Sequence, residues 1–417
     1  MRTSKEVLAV SVRQAATVRR LIRLTNPTTP LLSRQSANHL AGGNLMKKLV
    51  FSACALTLTC GTAVANNSDW DQLDNDVQAL SANLQDMEGG GMTIGGRIRT
   101  FYASSSDQQV ATTAGSNDLG GFQLYNARLF ATGTTAAGVG YRFENDFATG
   151  NLLDAYIDVG FGDAIDARMG QFRGFVLAES QIDSGNLFFA DRSVNAASFA
   201  GRQQGLAIRG DMEAFNWAIT IQDGSDGTLG VPGAVNGDGD DLFYAVHAGM
   251  NFMGEGTSMI EGAYGAGDEM TASAGISYYD DGGATDGGGF AIEASAQSSQ
   301  FSLSANMVSR DDSGVGSNFD TNESHIMLTR GEYTAAAVEG DNSPWSLMGT
   351  FALNESWELG IRYQDLDDTN STDVMDIGAN YYVDGHAMKY IFNWTSVGSD
   401  SAAGDTDLIR LGFNAAF

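Results

Sequence analysis

The sequence predicts an all-β fold, a transmembrane antiparallel β-barrel of about 16 strands preceded by a short N-terminal helical segment. Three observations carry this expectation. The last residues, LIRLGFNAAF, place Ile409, Leu411, Phe413, Ala415 and Phe417 at every second position, with Arg410, Gly412 and Asn414 between them. Such a strand has one apolar and one polar face, so it separates a non-polar medium from a polar one. From Met92 onward, alternating segments about ten residues long recur between turn-rich stretches, which is the period of a strand and not of a helix. No apolar run reaches the roughly 18 residues of a membrane-spanning helix, although the chain has 417 residues and no break in composition after residue 92.

The segments before the barrel read as targeting and spacing. Residues 1–45 are basic, carry Glu6 as their sole acid and show no period that could build a core, so they are expected to be an over-called N-terminal extension. Met46-Lys47-Lys48, the apolar run LVFSACALTLTC and Ala63-Val64-Ala65 form the charged start, short apolar middle and small-residue site of a secretory signal peptide over residues 46–65. An organelle transit peptide carried by Arg13, Arg19, Arg20 and Arg23 is the rival reading. Both cysteines, Cys54 and Cys60, fall inside the signal, which leaves the exported chain without disulfide, thiol nucleophile or cysteine metal site. In residues 66–91, Trp70, Leu73, Val77, Leu80, Leu84 and Met87 recur at spacings of three and four, a short periplasmic helix or coiled-coil seam that Gly89-Gly90-Gly91 ends. A surface helix packed on the barrel fits the same spacing.

Charge narrows the function classes. The formal net charge is -28, and residues 1–65 hold only 1 of the 51 acids but 9 of the 23 bases. So acidic a remainder repels nucleic acid and favours a salty medium or a cation-attracting mouth.

Within residues 92–417, candidate strands begin near residues 93, 122, 138, 152, 165, 202, 214, 242, 270, 290, 301, 344, 357, 373, 387 and 408. Short turns at GTTAAG, GDA, NES and DGH alternate with long acidic loops at 103–120, 223–240 and 313–343, which are expected to face outward from the cell. Parity assigns a lumen face: Arg97 and Arg99 oppose Ile94 and Ile98, and Arg128, Arg142, Arg168, Arg202, Arg310, Arg362, Lys389 and Arg410 fall on the same side. They are expected to face Glu144, Asp146, Asp154, Asp158, Asp166, Glu293, Glu358 and Asp376, while Leu129, Ile157, Trp217, Ile361, Tyr390 and Trp394 contact lipid. Nine arginines, from Arg97 to Arg209 and including Arg173, lie in the first half, so one wall is basic. Opposed to acids across a narrow lumen, such a wall makes a transverse field that steers ions and dipolar solutes, and a guanidinium row suits phosphate or carboxylate.

The stretches FQLYNARLFATGT, YRFENDFATGNLLDAYIDVGF, ARMGQFRGF, FFADRSV, GRQQGLAIRGD and IGANYYVDGHAMKYIFNW together resemble the phosphate-selective porin O and P family over about residues 93–417. The most specific of them carries Asn380, Tyr381, Tyr382, Gly385, His386 and Lys389. The resemblance implies a trimeric Gram-negative outer-membrane channel of sixteen strands, a homotrimer in lipid and lipopolysaccharide, whose third loop, near residues 173–201, folds inward. It implies passage of small hydrophilic solutes or ions, with Arg97, Arg99, Arg128, Arg142, Arg168 and Arg173 as ladder positions; Glu144, Asp146, Asp154 and Asp158, on the lumen face by parity, are expected to line the same constriction. The family's lysine cluster has no counterpart, since Lys389 is the only lysine after residue 65, and Gly174 stands where a proline-containing turn is expected. A general or cation-preferring porin is therefore the alternative to phosphate selectivity.

No catalytic constellation is visible. His247, His325 and His386 are the only histidines after residue 65, and none sits in a nucleophile motif, so a barrel enzyme is not expected. No cofactor is expected. Asn236, Asp238, Asp240 and Asp241 resemble part of a calcium loop but lack its closing Glu, and a solvated loop or a divalent bridge to lipopolysaccharide fits them equally. A plugged, non-conducting barrel is the remaining structural alternative.

Overall fold

The computed structural model describes residues 91–106, 120–162, 164–212, 214–223, 242–281, 287–311, 342–368, 371–400 and 405–417. The expected extension, signal peptide and helical segment, the Asn236–Asp241 loop and most of the long acidic loops lie outside the described residues. The strands are β1 (Met92–Ser106), β2 (Gly120–Thr134), β3 (Gly140–Asp146), β4 (Asn151–Gly160), β5 (Ile165–Arg173), β6 (Arg202–Met212), β7 (Phe215–Asp223) and β8 (Leu242–Met253). There follow β9 (Thr271–Asp281), β10 (Gly287–Gln297), β11 (Phe301–Asp311), β12 (Trp345–Ala352), β13 (Trp357–Asp365), β14 (Asp373–Asp384), β15 (Met388–Gly398) and β16 (Thr406–Ala416). Each begins within 3 residues of its expected start.

Every strand pairs antiparallel with its chain neighbours, and β1 pairs with β16 to close the barrel. Closure removes the exposed edge that an open sheet would leave in lipid, where an unpaired N–H or C=O has no water to turn to. The period of two survives: in β16, Ile409 and Leu411 are exposed while Arg410 and Asn414 are fully buried. Ile157, Ile361 and Tyr390 are about half exposed on the outer face, as parity requires of lipid-facing positions. Aromatics collect near both rims of that face. Trp357, Tyr381, Tyr390 and Phe413 form a chain of contacts near the end that holds both barrel termini, with centroids 4.9, 6.4 and 5.1 Å apart. Tyr102–Phe122, Tyr278–Phe290 and Trp345–Tyr363 pair near the other end, at 5.3, 5.2 and 5.4 Å. Amphipathic rings take such positions at a membrane–water boundary.

Connections differ between the two ends. At the terminal end most are short, such as 161–164, 298–300, 353–356 and 385–387. At the opposite end residues 174–201 leave β5 and pack against lumen-facing side chains, forming α1 (Ala178–Gln181), a 3-10 turn (Ser184–Asn186) and α2 (Val194–Ala197). Asp183 caps the 3-10 turn through Gly185 N, and Ser193 caps α2 through Ala196 N.

The closing seam contains close approaches at glycine, of which Gly412 on Phe101 is the tightest. An added Cβ at Gly412 would lie 2.1 Å from the Phe101 ring, and that ring is held in a buried cluster with Tyr125, Ala190 and Ile391. Gly412→Val is therefore expected to destabilise the closed barrel by about 1–3 kcal/mol through overpacking. The same change at Gly349, whose nearest neighbour would be 3.9 Å away, is expected to be tolerated. Urea titration of the compact, heat-modifiable band on a gel separates the two.

Candidate functional site

The lumen is divided by how residues 174–201 are fastened. The loop's own polar groups meet side chains from β10 to β16 and β1. Arg410 pairs with Asp191 and donates to Tyr125 Oη and Asn393 Oδ1, at 3.1 Å in each case. Arg362 is held by Asp376 at 2.9 Å and donates to Asp191 O at 3.0 Å. Arg99 donates to Ala190 O at 2.9 Å, Asn380 to Phe188 O at 2.9 Å, and Lys389 to Leu187 O. Further along, Val194 N donates to Gln364 Oε1, Asn195 to Pro344 O, and Arg310 to Ser198 Oγ. Inside the loop, Glu179 accepts from Ser193 N and Oγ and from Asn306 of β11, which ties α1 to the start of α2. Phe188, Phe189 and Met348 complete the contact as an apolar cluster. On this half of the barrel Glu358, Arg362, Asp376, Asn380, Lys389, Asn393 and Arg410 are at most 2% exposed. Around these side chains the lumen is filled by protein.

His386 fixes the end of this array. Tyr264 O can only accept, so His386 Nε2 donates to it at 2.9 Å, which leaves Nδ1, 3.3 Å from Lys389 Nζ, as the acceptor. Burial and the Lys389 charge push the imidazole down to about 3, so the ring stays neutral across the ordinary pH range and keeps this one tautomer.

The opposite wall is built differently. On β2–β6, guanidiniums and carboxylates alternate in a laterally connected ladder. Arg128 joins Asp146 at 3.0 Å and Glu144 at 3.6 Å; Glu144 also binds Arg142, which reaches Asp154 at 3.3 Å, and Asp154 meets Arg202 at 3.4 Å. Arg168 grips Asp158 with Nε and Nη2, both at 2.8 Å, and Arg209 spans Asp158 and Asp166 at 3.4 and 2.5 Å. Register explains the pairing: Arg128 is the cross-strand partner of Asp146, Asp158 of Arg168, and Asp166 of Arg209. Aromatic faces support the guanidiniums, with Arg168 3.7 Å from the Tyr156 centroid and Arg142 4.9 Å from that of Phe130.

This wall keeps water. The side chains of Arg142, Arg168, Arg209, Asp154, Asp158 and Asp166 are 13–36% exposed. A cavity of about 240 Å³ lies there, lined by Arg142, Asp154, Tyr156, Arg168, Phe172, Arg173, Gln181, Asp183 and Arg202. Loop residues Gln181 and Asp183 form its inner side, so the open space runs between the inward loop and β3–β6.

The structure distributes the expected site residues over three settings. Arg142, Arg168, Arg173, Asp154 and Asp158 line or border the open space. Arg128, Glu144 and Asp146 are sealed behind it, each no more than 2% exposed. Arg97 pairs with Asp183 of the loop, while Arg99 fastens the loop from β1. The transverse field expected from a basic wall opposed to acids is corrected by the register: on this wall the acids sit beside the arginines, on neighbouring strands. Lys389, the one lysine after residue 65, reaches the loop tip at Leu187 O and is fully buried there, away from the open space. Glu179, Asp183, Asp191 and Glu261 were not singled out from sequence, since they lie in connections that carry no strand period.

No family model and no curated protein sequence matches the chain. Among solved structures it is similar to OprB of Pseudomonas putida, with a TM-score of 0.52 and 10% identity over 82% of this chain and 97% of that one. It is also similar to OmpF of Salmonella typhi in complex with daunomycin, with a TM-score of 0.50 and 11% identity over 79% of this chain and 98% of that one. OmpT of Vibrio cholerae lacking loop L8 gives a TM-score of 0.50 and 9% identity over 79% and 100%. At these identities the likeness is one of fold, and the fold is the closed antiparallel barrel of outer-membrane proteins.

Proposed function

We propose that the chain is a porin of the Gram-negative outer membrane, a passive diffusion channel for small hydrophilic solutes and ions. The observation that carries this reading is a solvated strip of paired charges inside a closed barrel whose outer face is apolar between two aromatic rims. The cavity of about 240 Å³ is lined mostly by charged and polar side chains, which suits small hydrophilic solutes. In this reading the signal at residues 46–65 exports the chain, the terminal end faces the periplasm, and the barrel assembles as a homotrimer, as the family resemblance implies.

The pairing of the wall favours a general channel over a phosphate-selective one. A guanidinium holds an oxyanion best through two parallel N–H groups. At Arg168 that edge is already taken by Asp158 through Nε and Nη2, so phosphate would have to displace a carboxylate held in the same geometry. Arg142, Arg202 and Arg209 also each contact an acid of this wall. A wall of alternating fixed charge accommodates dipolar solutes and both ion signs, while the excess of acids over bases after residue 65 raises the local cation concentration.

Purified protein in a planar bilayer under a potassium chloride gradient is expected to conduct, with a zero-current potential of cation-preferring sign. Replacing chloride with phosphate is expected to leave the potassium current unblocked. A chloride current blocked by phosphate overturns the general-channel reading, and absence of any conductance overturns the porin reading itself.

A further inference from the structure

One connection at the terminal end does not resemble the others. Residues 254–270, between β8 and β9, number 17, whereas 213–214, 298–300 and 385–387 are turns of 2 or 3 residues. A turn that only reverses the chain needs no such length. Instead of standing in solvent, its tip is buried: Glu261 is 3% exposed and Ala263 0%.

The tip meets the inward loop from the side opposite to the loop's own root. Glu261 Oε2 accepts from Phe188 N at 2.6 Å and from Phe189 N at 3.2 Å, and Glu261 N donates to Asn186 O at 3.0 Å. Arg362 lies 3.6 Å from Glu261 Oε1. The carboxylate therefore supplies acceptors to two consecutive backbone donors that have been taken out of water, at the point where Lys389 and Asn380 hold the neighbouring carbonyls.

The same segment is anchored to the barrel wall along its length. Ser258 N donates to Gln297 Oε1, and Gln297 Nε2 donates to Ile260 O, each at 2.8 Å. Ala263 N donates to Glu358, which also accepts from Tyr382 Oη at 2.6 Å. Tyr264 stacks on Tyr382 at 3.7 Å with the rings 9° from parallel, and its carbonyl accepts from His386. Gly262 has φ of 106°, and an added Cβ would lie 2.7 Å from Glu358 Oε1, so the bend needs glycine for both conformation and space.

We infer that residues 254–270 are a specificity-determining strap. By holding the loop tip from the periplasmic end and occupying the lumen beside β10, β13 and β14, the strap closes the route along that half of the barrel and confines permeation to the charged wall of β3–β6. This inference rests on the channel reading. Its physical content is that the loop is fixed from both ends of the barrel, so an ion cannot pass behind it and must pass Arg142, Arg168 and Asp158.

The test replaces residues 255–269 by a short Asn-Gly turn and compares the two barrels in planar bilayers, each with and without Asp158→Asn. The full chain is expected to show a shift of zero-current potential on Asp158→Asn. The shortened chain is expected to have a higher single-channel conductance, with the Asp158→Asn shift reduced by more than half because a second route bypasses the wall. Equal conductance and an equal shift in both barrels overturn the strap while leaving the porin reading intact; a silent full-length chain overturns that reading instead. Should the shortened chain fail to fold, Glu261→Ala in the full chain removes only the grip on Phe188 and Phe189. It is expected to raise open-channel noise and produce brief sublevels, and a current trace indistinguishable from that of the unaltered chain overturns the inference.

Discussion

The position of the inward loop depends on charges that have been withdrawn from water. Arg410 with Asp191, and Arg362 with Asp376 and the Asp191 carbonyl, are buried to within 4% of complete exclusion. Such pairs add little net stability, because desolvation offsets most of the attraction, yet losing one partner costs about 3–5 kcal/mol. They therefore act less as glue than as a registration device: an alternative loop position that separates Arg410 from Asp191 strands two charges in a dry half of the barrel. Everything else about the lumen follows from where the loop is held. Because it lies against β10–β16, the described lumen-facing arginines that keep appreciable solvent exposure are those of β3–β6, Arg142, Arg168 and Arg209, and in the proposed channel these are the ones that solutes meet.

Two chemically similar sets of arginines thus have different tasks. Arg362, Arg410 and Arg99 present their donors to loop carbonyls and carboxylates, and their burial makes them structural. Arg142, Arg168 and Arg209 have the same lumen parity but face solvent, with carboxylates beside them on adjacent strands. The difference lies in the neighbour, not in the residue. A row of guanidiniums is a poor indicator of anion selectivity when each is the register partner or near neighbour of an acid.

The barrel was legible because its signal is local. A strand needs only alternating residues, and the bilayer forces that alternation to persist for the full crossing, so strand starts and facing could be read residue by residue. Pairing depends on register between strands, which parity does not reveal; Asp158 and Arg168 were both placed on the lumen face, but not beside each other. The inward contacts were less legible still. Lys389 and His386 stood out as a motif, yet their partners Leu187 and Tyr264 contribute backbone carbonyls, which every residue possesses. The strap left one readable trace, a long connection containing Met259, Ile260 and Tyr264 at the end where the other turns are short, and its carboxylate at Glu261 carries no pattern of its own.

In the proposed channel, solutes pass the β3–β6 wall and not the opposite half. This route is tested most directly by thiol accessibility in open channels, in a chain from which Cys54 and Cys60 have been removed. Tyr156→Cys places a thiol on the cavity, and Ser346→Cys places one on the lumen face of β12, where the side chain is buried. A charged methanethiosulfonate reagent is expected to reduce the current of the first in discrete steps and to leave the second unchanged. Rapid block through Ser346→Cys, with Tyr156→Cys unaffected, would contradict the account.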